Sequence, residues 1–277
     1  MTKKENNSNR LQQKEDWYHK LSIQVSLDGL SFCILDTIGN KLVLSHSQRF
    51  ESQRGPYQLQ QELKEAFREH GVADYRISEV VAIHRNTLFS LVPQALFAPE
   101  HLADYLKFNA KILPTDHLDY DVIDGLEMMN VYVPFANVNN YIYDLFGEFE
   151  FKHTATVLLE TLIKLPSSAQ GTVCYVHLAE SQMDMAVFSQ KKLRFFNSFP
   201  VTSETDFMYY LLFSLEQLGM EAAGVKLRLL GDVEEGDPLF EMAASYLENV
   251  SIFVPPGDLF PLGSGEAGID FTLINSL

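Results

Sequence analysis

The sequence predicts an α/β fold of two similarly built halves, each a mixed sheet flanked by helices. Three observations carry this. A three-stranded meander opens the chain, a rougher copy opens its second half, and each leads into alternating helices and strands. Strands that first pair as neighbours and then connect through helices build a mixed sheet covered on both faces.

The first meander spans residues 21–27, 30–36 and 41–47. Ile23, Val25 and Leu27 alternate with Ser22, Gln24 and Ser26, the period-two pattern of a half-buried strand. Asp28-Gly29 is a hairpin signal, because glycine takes a positive φ without steric cost. Gly39-Asn40 marks the next turn. Leu59, Leu63, Ala66 and Phe67 stand at i, i+4, i+7 and i+8 of a helix over 58–70, with Gly71 as its C-terminal cap. Strands follow at 79–84 and 87–91, the second broken by Pro93. Pro99 opens a helix over 100–109. Paired strands at 120–123 and 128–133 flank Asp124-Gly125. Helices at 138–146 and 154–165 enclose a short strand at 148–152.

Residues 166–171 (Pro-Ser-Ser-Ala-Gln-Gly) read as a linker. They divide a first half, 17–166, from a second, 167–277. The second meander covers 172–179, 183–189 and 193–199. Ser203, with Asp206 three residues on, caps a helix whose apolar positions Phe207, Leu211, Leu215 and Leu218 repeat the earlier spacing. A strand at 225–230, a helix at 238–247 and a strand at 251–254 close the half. Val131-Tyr132-Val133-Pro134 echoes Ile252-Phe253-Val254-Pro255, which aligns those two strands in a duplicated unit.

Composition narrows the function. The chain has 277 residues, 46% apolar and 21% charged, with a formal net charge of −16. It is globular, and its charge disfavours nucleic acid and anionic lipid as partners. Residues 1–16 are polar, with no apolar core of a signal peptide, and read as a disordered tail. No apolar run approaches the roughly 18 residues of a membrane span. A cytoplasmic protein is expected. Cys33 and Cys174 lie in predicted strands, where they read as buried thiols rather than a disulfide or metal pair.

Other motifs carry little chemistry. Gly263-Ser264-Gly265-Glu266-Ala267-Gly268 matches G-x-G-x-x-G, but it lacks the preceding strand and following βαβ unit of a dinucleotide site. His84 and His177 have no carboxylate or thiol at ligand spacing and read as core histidines. Asp119 and Asp121 share a strand face, and a solvated face is the reading adopted. Tyr141, Tyr143, Phe146, Phe149 and Phe151, and Phe207, Tyr209, Tyr210 and Phe213, form aromatic clusters read as core.

The repeated element order is similar to that of the actin-like ATPase superfamily, paired ribonuclease H-like lobes facing one another across a cleft. The opening LSIQVSLDGLSFCILD also resembles a family of uncharacterised bacterial proteins with that fold. The resemblance implies a nucleotide in the cleft, a phosphate loop in the first hairpin of each lobe and a glycine-rich adenosine turn. Carried onto this chain, those places are Asp28, Gly29 and Ser31; Glu180 and Ser181; and Gly231. The family loop reads Asp-x-Gly, with the Asp ordering magnesium and the Gly admitting phosphate. Here the first loop is one residue short, the second has no glycine, and the third has a single glycine followed by Asp232, Glu234 and Glu235. No lysine or arginine is expected near those three places to neutralise phosphate.

Two function classes follow. One is a non-catalytic interaction or scaffold module with degenerate phosphate loops, as in related components of secretion and pilus systems, needing no cofactor and serving an unidentified protein partner. The alternative is an ATPase, kinase or switch binding ATP with magnesium through divergent loops.

Overall fold

The computed structural model describes residues 18–165, 171–179, 181–253 and 270–277. The expected tail, most of the linker and the glycine-rich motif at 263–268 lie outside the described residues. The first half builds β1 (His19–Val25), β2 (Gly29–Asp36), β3 (Lys41–Arg49), α1 (Pro56–Glu69), β4 (Ile77–His84), β5 (Phe89–Pro93), α2 (Leu102–Leu106), β6 (Asp119–Ile123), β7 (Met128–Tyr132), α3 (Ala136–Phe146), β8 (Glu150–His153) and α4 (Thr154–Lys164). The second builds β9 (Thr172–Ala179), β10 (Gln182–Ser189), β11 (Lys192–Pro200), α5 (Glu204–Gln217), β12 (Val225–Gly231), α6 (Pro238–Tyr246), β13 (Asn249–Ile252) and a terminal turn of helix, α7 (Phe271–Asn275).

Two five-stranded sheets have one topology. Their orders are β3-β2-β1-β4-β8 and β11-β10-β9-β12-β13. In each, the meander strands pair antiparallel and the last two strands join in parallel. The outer face of the first sheet presents Leu21, Ile23, Val25, Phe32 and Ile34 to Leu59, Leu63 and Phe67 of α1 and to Val138 and Ile142 of α3. The outer face of the second presents Cys174, Val176, Met183, Met185 and Val187 to α5 and α6. Between the sheets lies a third apolar cluster. It packs Leu158, Leu159 and Leu162 of α4 against Val173, Tyr175, Ala186 and Phe188, with Phe271 of α7 among them.

Local chemistry explains most of the boundaries. Asn40 takes a positive φ of 46° at the second turn, as the Gly39-Asn40 pair requires. Gly71, at φ 62°, ends α1 as a left-handed C′ residue. Ser203 Oγ accepts from the Asp206 amide at 3.2 Å, while the Asp206 carboxylate turns back to the Thr202 amide and hydroxyl. The cap is therefore shared across two residues.

The structure corrects several expectations. The helix expected over 100–109 is a 3₁₀ turn at Pro99–His101 followed by the five residues of α2. Pro93 does not break β5 but ends it, paired with Met128; β5 is an edge strand, whose free side needs no amide. The echo of 131–134 in 252–255 is not an equivalence, and Val254 and Pro255 lie outside the described residues. β7 sits in a separate three-stranded sheet, β5-β7-β6, inserted between β4 and α3. The partner of β13 in the topology is β8, whose Glu-Phe-Lys-His sequence carries no apolar run to announce it. The aromatic clusters are not wholly core: Phe207 is fully buried, whereas Tyr143, Tyr209 and Phe213 are exposed.

Candidate functional site

The two hairpin turns meet. In the first, the reversal falls on Ser26, Leu27 and Asp28, and Gly29 already belongs to β2. Ser26 Oγ accepts from the Asp28 amide at 3.1 Å and from the Gly29 amide at 2.9 Å, so a side-chain turn does the work expected of the glycine. The Asp28 carboxylate then accepts a 2.6 Å hydrogen bond from Ser181 Oγ at the turn between β9 and β10. A phosphate placed between these turns would have to break that bond. Ser31 is on β2, buried, and paired with Gln24 rather than at the turn. Glu180 lies outside the described residues.

Gly231 ends β12 at φ 92°. A Cβ there would stand 2.0 Å from the Leu178 carbonyl oxygen, so the glycine answers a close approach of β12 to β9. The following Asp232 amide donates to the same carbonyl at 2.7 Å. The expectation that no cation stands near these places is overturned. Arg49, at the end of β3, reaches Asp232 at 2.8 Å, and Arg85 donates its backbone amide to Val25, just before the first turn. Both arginines are brought in by tertiary structure, which local sequence does not display.

Behind the turns, at the junction of the sheets, is a buried charge cluster. Arg85 follows β4. His177 and Asp184 are cross-strand partners on β9 and β10, facing the first sheet, and Asp270 precedes α7. Arg85 Nη2 donates to Asp184 Oδ2 at 2.9 Å, and Nη1 stands 3.6 Å from Asp270 Oδ2. His177 is flanked by the two carboxylates, Nδ1 at 3.5 Å from Asp184 and Nε2 at 3.5 Å from Asp270. Asp184 Oδ1 accepts from Ser198 Oγ at 2.6 Å and Gln182 Nε2 at 2.7 Å. The Thr272 hydroxyl lies against both Asp270 and Gln24.

Charges so buried persist only when paired, and the pairing sets their ionisation. Burial opposes charge on His177, but Asp270 and Asp184 outweigh it and hold its pKa above the ordinary value. Burial likewise penalises both carboxylates, but Arg85 and His177 hold Asp184 and Asp270 well below the usual carboxylate range. His177 is the core histidine expected, but it is held between two carboxylates and beside the Arg85 guanidinium rather than among apolar groups alone.

A second, half-buried polar group supports the inserted sheet. Asp121 accepts from Tyr132 Oη at 3.0 Å, the His153 amide at 2.9 Å and Thr156 Oγ1 at 2.6 Å. The solvated face expected for Asp119 and Asp121 is therefore wrong for Asp121: α4 covers its carboxylate, and burial raises its pKa to about 6 against those three bonds. His84 is buried at the end of β4. Its Nδ1 accepts from the Phe135 amide at 3.2 Å, so Nε2 carries the proton towards Asn139 Oδ1 at 2.9 Å. Burial lowers its pKa to about 3. Cys33 and Cys174 are buried free thiols, and burial pushes the Cys33 thiol up to about 12. Among the described residues no three His, Cys, Asp or Glu side chains converge to hold a metal ion. None of their helices is long and apolar enough to cross a membrane.

The turns thus meet directly, and Arg85, His177, Asp184 and Asp270 form a charged link between the halves beside the apolar cluster. Sequence offered a signal for two of these: His177 and Asp184 are polar residues in otherwise apolar strands. Buried polar side chains of that kind need partners.

Comparison with solved structures shows the fold. A protein with actin-like ATPase fold and unknown function from Bacteroides thetaiotaomicron superposes with a TM-score of 0.73 at 22% identity, covering 86% of this chain and 92% of that one. A PilM-PilN type IV pilus biogenesis complex gives a TM-score of 0.56 at 14% identity, covering 87% of this chain and 89% of the matched chain. No curated protein matches the sequence. The family model described as "Protein of unknown function (DUF3822)" matches residues 8–250, a span that takes in the first five-stranded sheet and the second as far as the start of β13, and the chain therefore belongs to the DUF3822 family, with an actin-like ATPase fold.

Proposed function

We propose that this chain is a non-catalytic interaction module that keeps the actin-like frame without its phosphate loops. The observation that carries the reading is the 2.6 Å hydrogen bond from Ser181 to Asp28. It spends on each other the hydroxyl and the carboxylate that the fold would devote to phosphate and magnesium. The first turn is followed by a single glycine, Gly29, and the sequence of the second, Ala179-Glu180-Ser181-Gln182, has none, where a phosphate cradle draws on glycine-bounded backbone amides. Arg49, the cation beside Gly231, is already paired with Asp232. These residues do not fit ATP with magnesium as they stand.

The likeness to a chain of a PilM-PilN pilus biogenesis complex supports a role in binding another protein. The reading places this chain in the cytoplasm. Its net charge of −16 favours a partner with a basic or neutral surface over nucleic acid. The exposed Tyr209 and Phe213, stacked at 5.7 Å on α5, are the kind of side chain that anchors such contacts.

Calorimetric titration with ATP, with and without magnesium, tests the reading. No binding at millimolar nucleotide is the expected result. Micromolar, magnesium-dependent binding would overturn it in favour of a nucleotide switch with divergent loops.

A further inference from the structure

Residues 270–277 sit in the molecule as a ligand sits in a site. α7 is five residues long, too short to hold a helix by itself, so docking must maintain it. It docks between the sheets. Asp270 places its carboxylate between Arg85 and His177, at 3.6 and 3.5 Å. Phe271 enters the apolar cluster beside Tyr175, with its ring 6.1 Å from Phe253 and 6.2 Å from His177. Thr272 meets Gln24, and Ser276 Oγ meets Ser22 Oγ at 2.6 Å. Ser22 and Gln24 are polar residues on the inner face of β1, an unusual choice for a fully covered strand.

Asp184 and Asp270 both face Arg85 and His177, and the segment carries the second of these carboxylates. Were the segment to leave, the place beside Arg85 Nη1 and His177 Nε2 would lose its carboxylate and the apolar cluster would lose the Phe271 ring. Buried polar nitrogens without a partner are costly, and a carboxylate from another chain would meet the same two nitrogens.

We propose that Arg85, His177, Gln24, Tyr175 and Phe253 form a binding site for a peptide segment bearing a carboxylate followed by an aromatic side chain, and that the chain fills it with its own Asp270 and Phe271. A partner carrying such a segment binds by displacing residues 270–277, which makes those residues an internal competitor. The partner's existence rests on the interaction reading; the site does not, and nucleotide titration addresses that reading separately.

The test uses the full chain with Asp270→Asn, whose own segment has lost its charge. The probe is a fluorescent peptide of residues 270–277. We expect it to bind the variant at least about tenfold more tightly than the unaltered chain, and a peptide with Asn in place of Asp270 to bind neither. A folded variant that ignores the peptide, or that binds both peptides equally, would overturn the site. Hydrogen exchange on the unaltered chain gives an independent reading should the variant not fold. The amides of α7 should exchange through a local opening, well before those of β9 and β10. Exchange of α7 only with global unfolding would mean that the segment never leaves, and the proposal would fall.

Discussion

Arg85 and Asp184 are 99 positions apart in sequence and 2.9 Å apart in the fold, with the guanidinium and the carboxylate both almost wholly buried. This pair joins the residue that follows β4 in the first sheet to the second meander. Removing one member strands the other in a place that water does not reach. Asp184→Asn or Arg85→Met should each cost about 3–5 kcal/mol in urea unfolding. The double variant should cost less than the sum of the two, because neither charge is then left alone.

The cluster also sets a pH dependence. The histidine is held above its ordinary pKa. Its contribution is fully present below the unfolded value of about 6.5 and is lost as pH rises through the folded value. The depressed carboxylates contribute above their unfolded value of about 3.9 and lose that contribution as pH falls. Stability should therefore peak between these limits, and His177→Gln should flatten the alkaline limb. Urea midpoints across the pH range would show it; an unchanged alkaline limb would mean that the imidazole is neutral.

The contact between Ser181 and Asp28 should behave as one unit. Ser181→Ala and Asp28→Ala are each expected to cost about 1 kcal/mol, and the double variant little more than either alone. Both variants should fold. Additive losses in a double-mutant cycle would show that the two turns do not depend on each other.

Helix α5 offers a comparison within a single element. Phe207 is fully buried against the second sheet and Phe213 is 46% exposed. Phe207→Ala should cost about 3–5 kcal/mol, whereas Phe213→Ala should stay within about 0.5 kcal/mol. Thermal unfolding distinguishes them, and a large loss at Phe213 would place that ring in the core.

The meanders were legible because they are local. Alternation, two turns and a helical stripe at Leu59, Leu63, Ala66 and Phe67 determine the elements residue by residue. The inserted sheet was harder to place, because the short, polar β8 resembles a loop while the apolar β7 resembles a sheet member. The charge cluster was less legible still. Arg85 and His177 are 92 positions apart, and no periodic pattern reports which distant residue will neutralise a charge. Gly231 was singled out for a nucleotide, yet its reason is the Leu178 carbonyl oxygen beside it. A glycine marks a backbone that must pass close to something, without naming what.

The placement of Asp270 also bears on the order in which the chain is built. Synthesis delivers Arg85 first, then His177 and Asp184, and Asp270 last. The first sheet can close its own outer core early, since α1 and α3 both precede β9. Arg85 then waits for the Asp184 carboxylate from strands not yet made, and the cluster is complete only when residue 270 arrives. Long-range contacts of this kind are slow to form, and a half-made chain would carry a cationic, apolar surface that later becomes its interior. A growing chain stalled before residue 270 should accordingly be the form that chaperones hold longest.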